Sequence, residues 1–144
     1  MSILGIDHGE KRIGIALSDP SETIARPLTI VRHVSRVEDA RYVLELAETH
    51  RARRIVVGQS LDEEGRPNLA GRRAGRFAEI LRTMTARPII LWDESLSTHD
   101  AREFRTAAGV SRKRRASAID ASAAAVMLQS YLESQDRPDG APPH

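Results

Sequence analysis

The chain opens with two short runs in which apolar residues recur with the two-residue period of a strand. Residues 2–8 (SILGIDH) and 12–18 (RIGIALS) read as buried strands. The short link between them, with a turn at Gly9 and Glu10, predicts an antiparallel hairpin. Asp19-Pro20 ends it, and residues 28–34 continue the meander as a third strand. The period then changes. Ser35 is placed to cap a helix over 36–51, whose apolar positions Val37, Ala40, Val43, Leu44 and Ala47 follow helical spacing. Residues 54–58 (RIVVG) predict a short buried strand, 60–68 a polar loop, and 69–85 a helix with Leu69, Phe77, Ile80, Leu81 and Met84 toward the core. The last strand is expected over 88–94. A helix over 98–108 follows, capped by Ser97 or Thr98 and ended by Gly109. SRKRRA reads as a basic loop, and Ser117 opens a final helix to about Ser134. Three strands followed by alternating helices and strands predict a mixed-sheet α/β domain over residues 1–134. The Pro-rich end, 135–144, is expected to be disordered.

Composition narrows the chemistry. The absence of cysteine excludes disulfides, thiolate zinc sites and cysteine nucleophiles. The five histidines are scattered without zinc spacing. No basic leader precedes the first strand, and no apolar run approaches the roughly 20 residues of a membrane span. A cytoplasmic location and no membrane partner are therefore expected. Net charge is only +2, but residues 132–144 sum to −2 and leave +4 to the remainder. Of 22 basic residues only Lys11 and Lys113 are lysines, and arginine offers a planar fork suited to phosphate.

Three carboxylates occupy core-facing positions, where a charge is costly unless paired or bound to a cation. Asp7 shares a strand face with Ile3 and Gly5, opposite a small-residue face of Gly14, Ala16 and Ser18. If those faces coincide, Asp7 looks onto open space; alternatively it caps the turn at Gly9. Asp93 and Glu94 point to opposite sides of the last strand, and spacing does not choose between them. Asp120 leads a helical stripe of Ala123, Ala124, Met127, Leu128 and Tyr131, but Ser117 to Asp120 also has the form of a capping box. Gathered in one place, such oxygen donors would suit a hard divalent cation. His8 points away from Asp7 and is assigned a structural or surface role rather than acid–base chemistry.

Arg112, Lys113, Arg114 and Arg115 are consecutive, and Arg66, Arg72, Arg73 and Arg76 form a second basic group. Either is a solvated surface or a set of phosphate contacts supplying affinity without sequence readout. With 3% aromatics, base stacking is not expected to dominate. No GxxxxGK[ST] phosphate loop is present.

Four blocks carry a resemblance. Gly5 to Asp19 (GIDHGEKRIGIALSD), Ile55 to Gly58 (IVVG), Asp93 to Thr98 (DESLST) and Asp120 to Leu132 (DASAAAVMLQSYL) resemble, in order and at natural distances, the motifs of the bacterial YqgF/RuvX family. The resemblance spans residues 3 to 132 and implies an RNase H-like fold, a mixed five-stranded sheet flanked by helices. It also implies Asp7, Glu94 and Asp120 as an acidic triad binding Mg²⁺ or Mn²⁺, which selects Glu94 over Asp93. Two-metal hydrolysis of phosphodiesters is the activity expected, with Lys11 or Arg12 neutralising the phosphate and the two arginine-rich groups contacting nucleic acid. The substrate would be structured RNA at the 5′ end of pre-16S ribosomal RNA, or branched DNA at a Holliday junction. A non-catalytic ribosome-assembly module on the same fold is the reading of another class. The protein is expected as a monomer or homodimer. Two departures from the family pattern stand out: Ser95 replaces an arginine, and Gln59-Ser60 replaces an apolar-proline pair.

Overall fold

A computed structural model describes residues 1–94 and 112–135, with side chains described over 1–94 and 121–135. The expected helix over 98–108, Ser95 and the tail from 136 lie outside the described residues. The elements are β1 (Ser2–His8), β2 (Arg12–Ser18), β3 (Ala25–Arg32), α1 (Arg36–Thr49), β4 (Ala52–Gln59), α2 (Leu69–Met84), β5 (Ile89–Asp93) and α3 (Arg112–Gln135). They build one five-stranded sheet of order β3-β2-β1-β4-β5. β1, β2 and β3 form the predicted antiparallel meander, while β4 and β5 pair parallel to β1 and to each other. The mixed sheet flanked by helices is the architecture expected from the chain's pattern.

Strand alternation divides the core into two layers. Leu4, Ile6, Ile13, Ile15, Ile55 and Val57 face α1 and α2. Ile3, Ala16 and Val56 face α3 through Ala124, Met127, Leu128 and Tyr131. Close approach of α3 requires a missing side chain: a Cβ at Gly5 would lie 2.9 Å from Leu128 Cβ. The Gly5–Ala16 part of the small-residue face is therefore filled by helix rather than open.

Several boundaries differ from expectation for local reasons. β3 begins at Ala25, with Pro27 tolerated because this is an edge strand. It ends at Arg32 because the next amides and side chains turn inward: Val34 N donates to Asp39 Oδ1 (3.1 Å), and His33 pairs with the buried Asp39 carboxylate. Ser35 caps α1 as expected, accepting from Glu38 N at 3.1 Å. That helix stops before Arg51, which sits at φ 54°. On α2 the buried line is Gly71, Ala74, Phe77, Ala78 and Leu81, and its small members Gly71, Ala74 and Ala78 let the helix lie close. Leu69 and Met84, expected in the core, are 54% and 38% exposed, as is Val37 of α1 at 49%. The basic loop is also corrected. Arg112 to Arg115 begin α3 itself, since Arg, Lys and Ala favour helix and no Gly or Pro interrupts residues 112–135. Ser117 is accordingly not the N-cap.

Candidate active site

Asp7 lies near the carboxyl end of β1, half-buried, on the face that α3 covers. Its cross-strand partner on β2 is Gly14. On the other side, Ile6 pairs with Val57, which brings Gly58 of β4 beside Asp7. Glycine thus flanks the carboxylate on both neighbouring strands. The hairpin turn is closed by its own backbone, Gly9 N donating to Arg12 O at 2.9 Å. A Cβ at Gly9 would meet that oxygen at 2.6 Å, so the tight turn needs glycine.

Alternation along β5 decides which of the two neighbouring acids enters the site. Ile90 and Trp92 pack on the α3 side, Ile89 and Leu91 on the other. Glu94 continues the first series and Asp93 the second. The Glu94 side chain folds back over β4: a Cβ at Gly58 would lie 3.1 Å from Glu94 Oε2 and 3.2 Å from Met127 Cγ. Its carboxylate therefore rests above backbone that is one strand spacing, about 4.8 Å, from that of Asp7. Burial raises the Glu94 pKa, and the charge of Asp93 adds to the rise. The ionised form on this shelf lacks the solvation it would have in water.

The Asp120 side chain lies outside the described residues, but the course of its helix is defined. Tyr131 receives a hydrogen bond from Arg54 Nη1 (2.5 Å) near the start of β4, and Leu128 crosses Gly5. α3 thus runs against β1, with earlier turns toward the carboxyl ends of the strands. Position 120 precedes buried Ala124 by one turn and Leu128 by two, about 12 Å of axis. Asp7 lies only about 7 Å beyond Gly5. The helix therefore reaches the level of Asp7 with position 120 in line with its buried stripe. Among the described residues, no three His, Cys, Asp or Glu side chains form a group able to hold a metal ion. Two of the three expected ligands are described and share this shelf.

His8 faces the α1/α2 layer, away from Asp7. Its ring packs 4.7 Å from Phe77 and 6.4 Å from His33. Neither ring nitrogen has a hydrogen-bond partner, and burial lowers its pKa. It serves as packing, as expected.

The predicted cations gather at one end of the sheet but on different sides. Lys11 and Arg12 are exposed on the β1–β2 turn and the start of β2. Arg72, Arg73 and Arg76 lie on the first half of α2, behind the sheet relative to Asp7 and Glu94; Arg72 Nη1 donates to Pro67 O at 3.2 Å. Arg112 to Arg115 begin α3. Arg32 and Arg36, which composition did not single out, stand at the same end. The hairpin register that sets Arg32 opposite Arg12 is the information a residue count lacks.

Gln59 and Ser60 anchor the following loop by hydrogen bonds. Gln59 Nε2 donates to Gly71 O (3.1 Å), and Asn68 Nδ2 donates to Ser60 Oγ (2.7 Å). Asn68 Oδ1 in turn caps α2 by accepting from Gly71 N at 2.9 Å. The departure from the family pattern thus ties loop 60–68 to the start of α2. No helix among the described residues is long and apolar enough to cross a membrane.

Comparison with known proteins agrees with this geometry. The family model described as "RuvX: Holliday junction resolvase" matches residues 1–134. A protein of Caldanaerobacter subterraneus subsp. tengcongensis named "Putative pre-16S rRNA nuclease" is 39% identical over 136 residues, covering 94% of this chain and 98% of its own. A Syntrophus aciditrophicus protein of the same name is 38% identical over 134 residues, covering 93% and 89%. Among solved structures, T. thermophilus RuvC in complex with a Holliday junction substrate superposes with TM-score 0.60 at 18% identity, over 94% of this chain and 97% of that one. The fowlpox virus resolvase with Holliday junction DNA gives 0.60 at 11% identity, over 95% and 100%. At such identities these two establish the fold alone, the RNase H-like sheet of the resolvases. The family match over residues 1–134 and two relatives near 39% identity along almost their whole length together make this chain a member of the RuvX family.

Proposed function

We propose that this protein is a metal-dependent endonuclease that hydrolyses phosphodiester bonds in the 5′-end maturation of pre-16S ribosomal RNA. Family membership supports a nuclease acting on nucleic acid, and the names of the relatives in Caldanaerobacter and Syntrophus support the ribosomal RNA substrate. The observation that carries the site assignment is the Glu94 carboxylate, half-buried above Gly58 on the face and at the end of the sheet that hold Asp7.

The donor set fits a hard divalent cation. Asp7 and Glu94 offer oxygen ligands only, and Glu94 is partly stripped of water, so a cation restores the stabilisation that burial removes. Asp7, Glu94 and Asp120 would hold Mg²⁺ or Mn²⁺. Such an ion supplies activation of water and stabilisation of the leaving oxygen. The chain's own residues do the rest. Gly14 and Gly58 put no side chain of their own beside Asp7, and over Gly58 that space is taken by the Glu94 carboxylate and Met127. Lys11 and Arg12, on the adjoining turn and strand, offset the negative charge of the scissile phosphate. Met127 reaches the same point above Gly58 as the Glu94 carboxylate and gives it an apolar neighbour.

The description of the family as a Holliday junction resolvase favours a second reading, cleavage of four-way DNA. The deciding experiment offers the protein a labelled precursor 16S 5′ segment and a labelled four-way junction, each with Mn²⁺, Mg²⁺ or EDTA. Metal-dependent cutting of the RNA alone is expected. Paired symmetric cuts in the junction alone would transfer the protein to recombination. Binding of either with no cutting in any metal would leave a non-catalytic assembly module.

A further inference from the structure

At the carboxyl end of the sheet, charges stand where local electrostatics disfavour them. Arg12 and Arg32 are directly paired across β2 and β3, and like charges at opposed positions destabilise a sheet. Arg36 is the first residue of α1, where the helix dipole favours an acid. Lys11 joins them, its carbonyl accepting from His33 N at 2.9 Å. Together with Glu10 and His33, the residues Lys11, Arg12 and Arg32 line one open cleft. Among the described residues, neither Lys11, Arg32 nor Arg36 takes part in an ion pair. Around the opposite end of the sheet, Arg53, Arg82 and Arg87 are each held by an acid, at Glu22, Glu79 and Glu48. Departures from local rules concentrated at one place mark a surface shaped for a ligand.

Register locates this surface relative to the carboxylates. Asp7 pairs with Gly14, and Arg12 shares Gly14's side of β2. Arg32, paired with Arg12, lies on that side too. One face of the sheet end therefore reads, strand by strand, Arg32, Arg12, Asp7 and the Gly58 shelf under Glu94. Arg32 is two strands across and two residues along the sheet from Asp7, about 12 Å. That is roughly the rise of three to four nucleotides in one strand of a duplex.

We propose that Arg32, with Lys11 and Arg12, forms a phosphate-binding row on the β2–β3 side of the carboxylates. It grips the nucleic-acid backbone a few nucleotides from the scissile bond. The proposal deepens the nuclease reading and rests on it for the position of that bond. Arg32 is a positioning residue: it holds the strand in register, and the carboxylates act on the bond. An adjacent phosphate offsets the repulsion between Arg12 and Arg32.

The test measures affinity against salt for Arg32→Gln, Arg32→Lys and a control, Arg26→Gln, at the other end of the same strand. The probes are a fluorescein-labelled RNA stem with a single-stranded 5′ flank and a DNA duplex of equal length, both in EDTA. Loss of one phosphate contact should shrink the slope of log K against log salt by about 0.7 to 0.9, and weaken binding about five- to eightfold near 0.1 M salt. Arg32→Lys should keep the slope, and Arg26→Gln should match wild type. Without nucleic acid, the melting temperature of Arg32→Gln should be unchanged or raised, because repulsion is removed. An effect on the RNA probe alone, the DNA probe alone or both supports the row and identifies the backbone it grips. An unchanged slope and affinity for Arg32→Gln on both probes overturns it, as does an equal loss in Arg26→Gln. Cleavage by wild type in Mn²⁺ is scored separately. A protein that never cuts yet shows the Arg32-dependent slope would sink the nuclease reading and keep the row.

Discussion

Glu94 is the residue at which burial, charge and backbone shape meet. Its folded-state pKa is raised by desolvation and by Asp93. A group so shifted binds its proton more tightly in the folded than in the unfolded chain. Its stabilising contribution is thus full below the ordinary carboxyl range and is lost as pH rises through the folded value. Glu94→Gln cannot take on that charge. Without added metal, its melting temperature should exceed that of wild type at pH 7, and the gap should close toward pH 4. With Mn²⁺ at pH 7 the order should reverse, since only the carboxylate gains from the cation. Melting curves at the two pH values, with and without Mn²⁺, read both effects. Gly58 offers a second probe. A Cβ there would come 3.1 Å from Glu94 Oε2 and 3.2 Å from Met127 Cγ. Gly58→Ala should cost about 1–3 kcal/mol of stability through overpacking, and should depress cleavage more than binding. A denaturant curve and a cleavage time course separate the two.

Among the described elements, α3 governs the site because it alone covers the Asp7 face and carries position 120. Its closeness to β1 depends on Gly5, under Leu128. Gly5→Val should lift the helix, lower the unfolding midpoint and reduce metal-dependent cleavage together, whereas a loss of stability alone would uncouple α3 from the site. Much of this element plan was legible in the chain. β1 and β2 were bounded by their alternation, and Ser35 marked the start of α1. Other features were not. Residues 111–116 (SRKRRA) read as a loop because five of the six are polar or basic, although arginine, lysine and alanine favour helix. Leu69 and Met84 fit a helical stripe that smaller residues, Gly71, Ala74 and Ala78, filled instead. Spacing left Asp93 and Glu94 open and the family resemblance selected Glu94; the packing of Ile90 and Trp92, which fixes the parity of β5, supplies the physical reason. Gln59 and Ser60 showed their purpose only through bonds to Gly71 and Asn68, twelve and eight residues along the chain. The pairing of Arg12 with Arg32 depended on register, and register is a property of two strands rather than of either sequence.

At the scale of the whole molecule, the sheet sorts charge by end and by face. Acids on the α3 face meet cations on the neighbouring strands, while the helices α1, α2 and α3 all begin near the carboxyl end of the sheet, with Arg36, Arg72 and Arg112 in their opening turns. Helix N-termini and arginines add to one another as a field for a polyanion, so a modest net charge of +2 coexists with one strongly basic end. We propose Asp7 as part of a metal-dependent phosphodiester-cutting site, and the measurement that tests this is the rate of Mn²⁺-dependent cleavage of a precursor 16S 5′ segment by Asp7→Asn, at protein concentrations where binding equals that of wild type. The expected result is a rate lower by roughly a hundredfold or more, the scale lost when a group stabilising the transition state is removed, with affinity for the RNA retained. A variant that cuts at the wild-type rate would contradict the account.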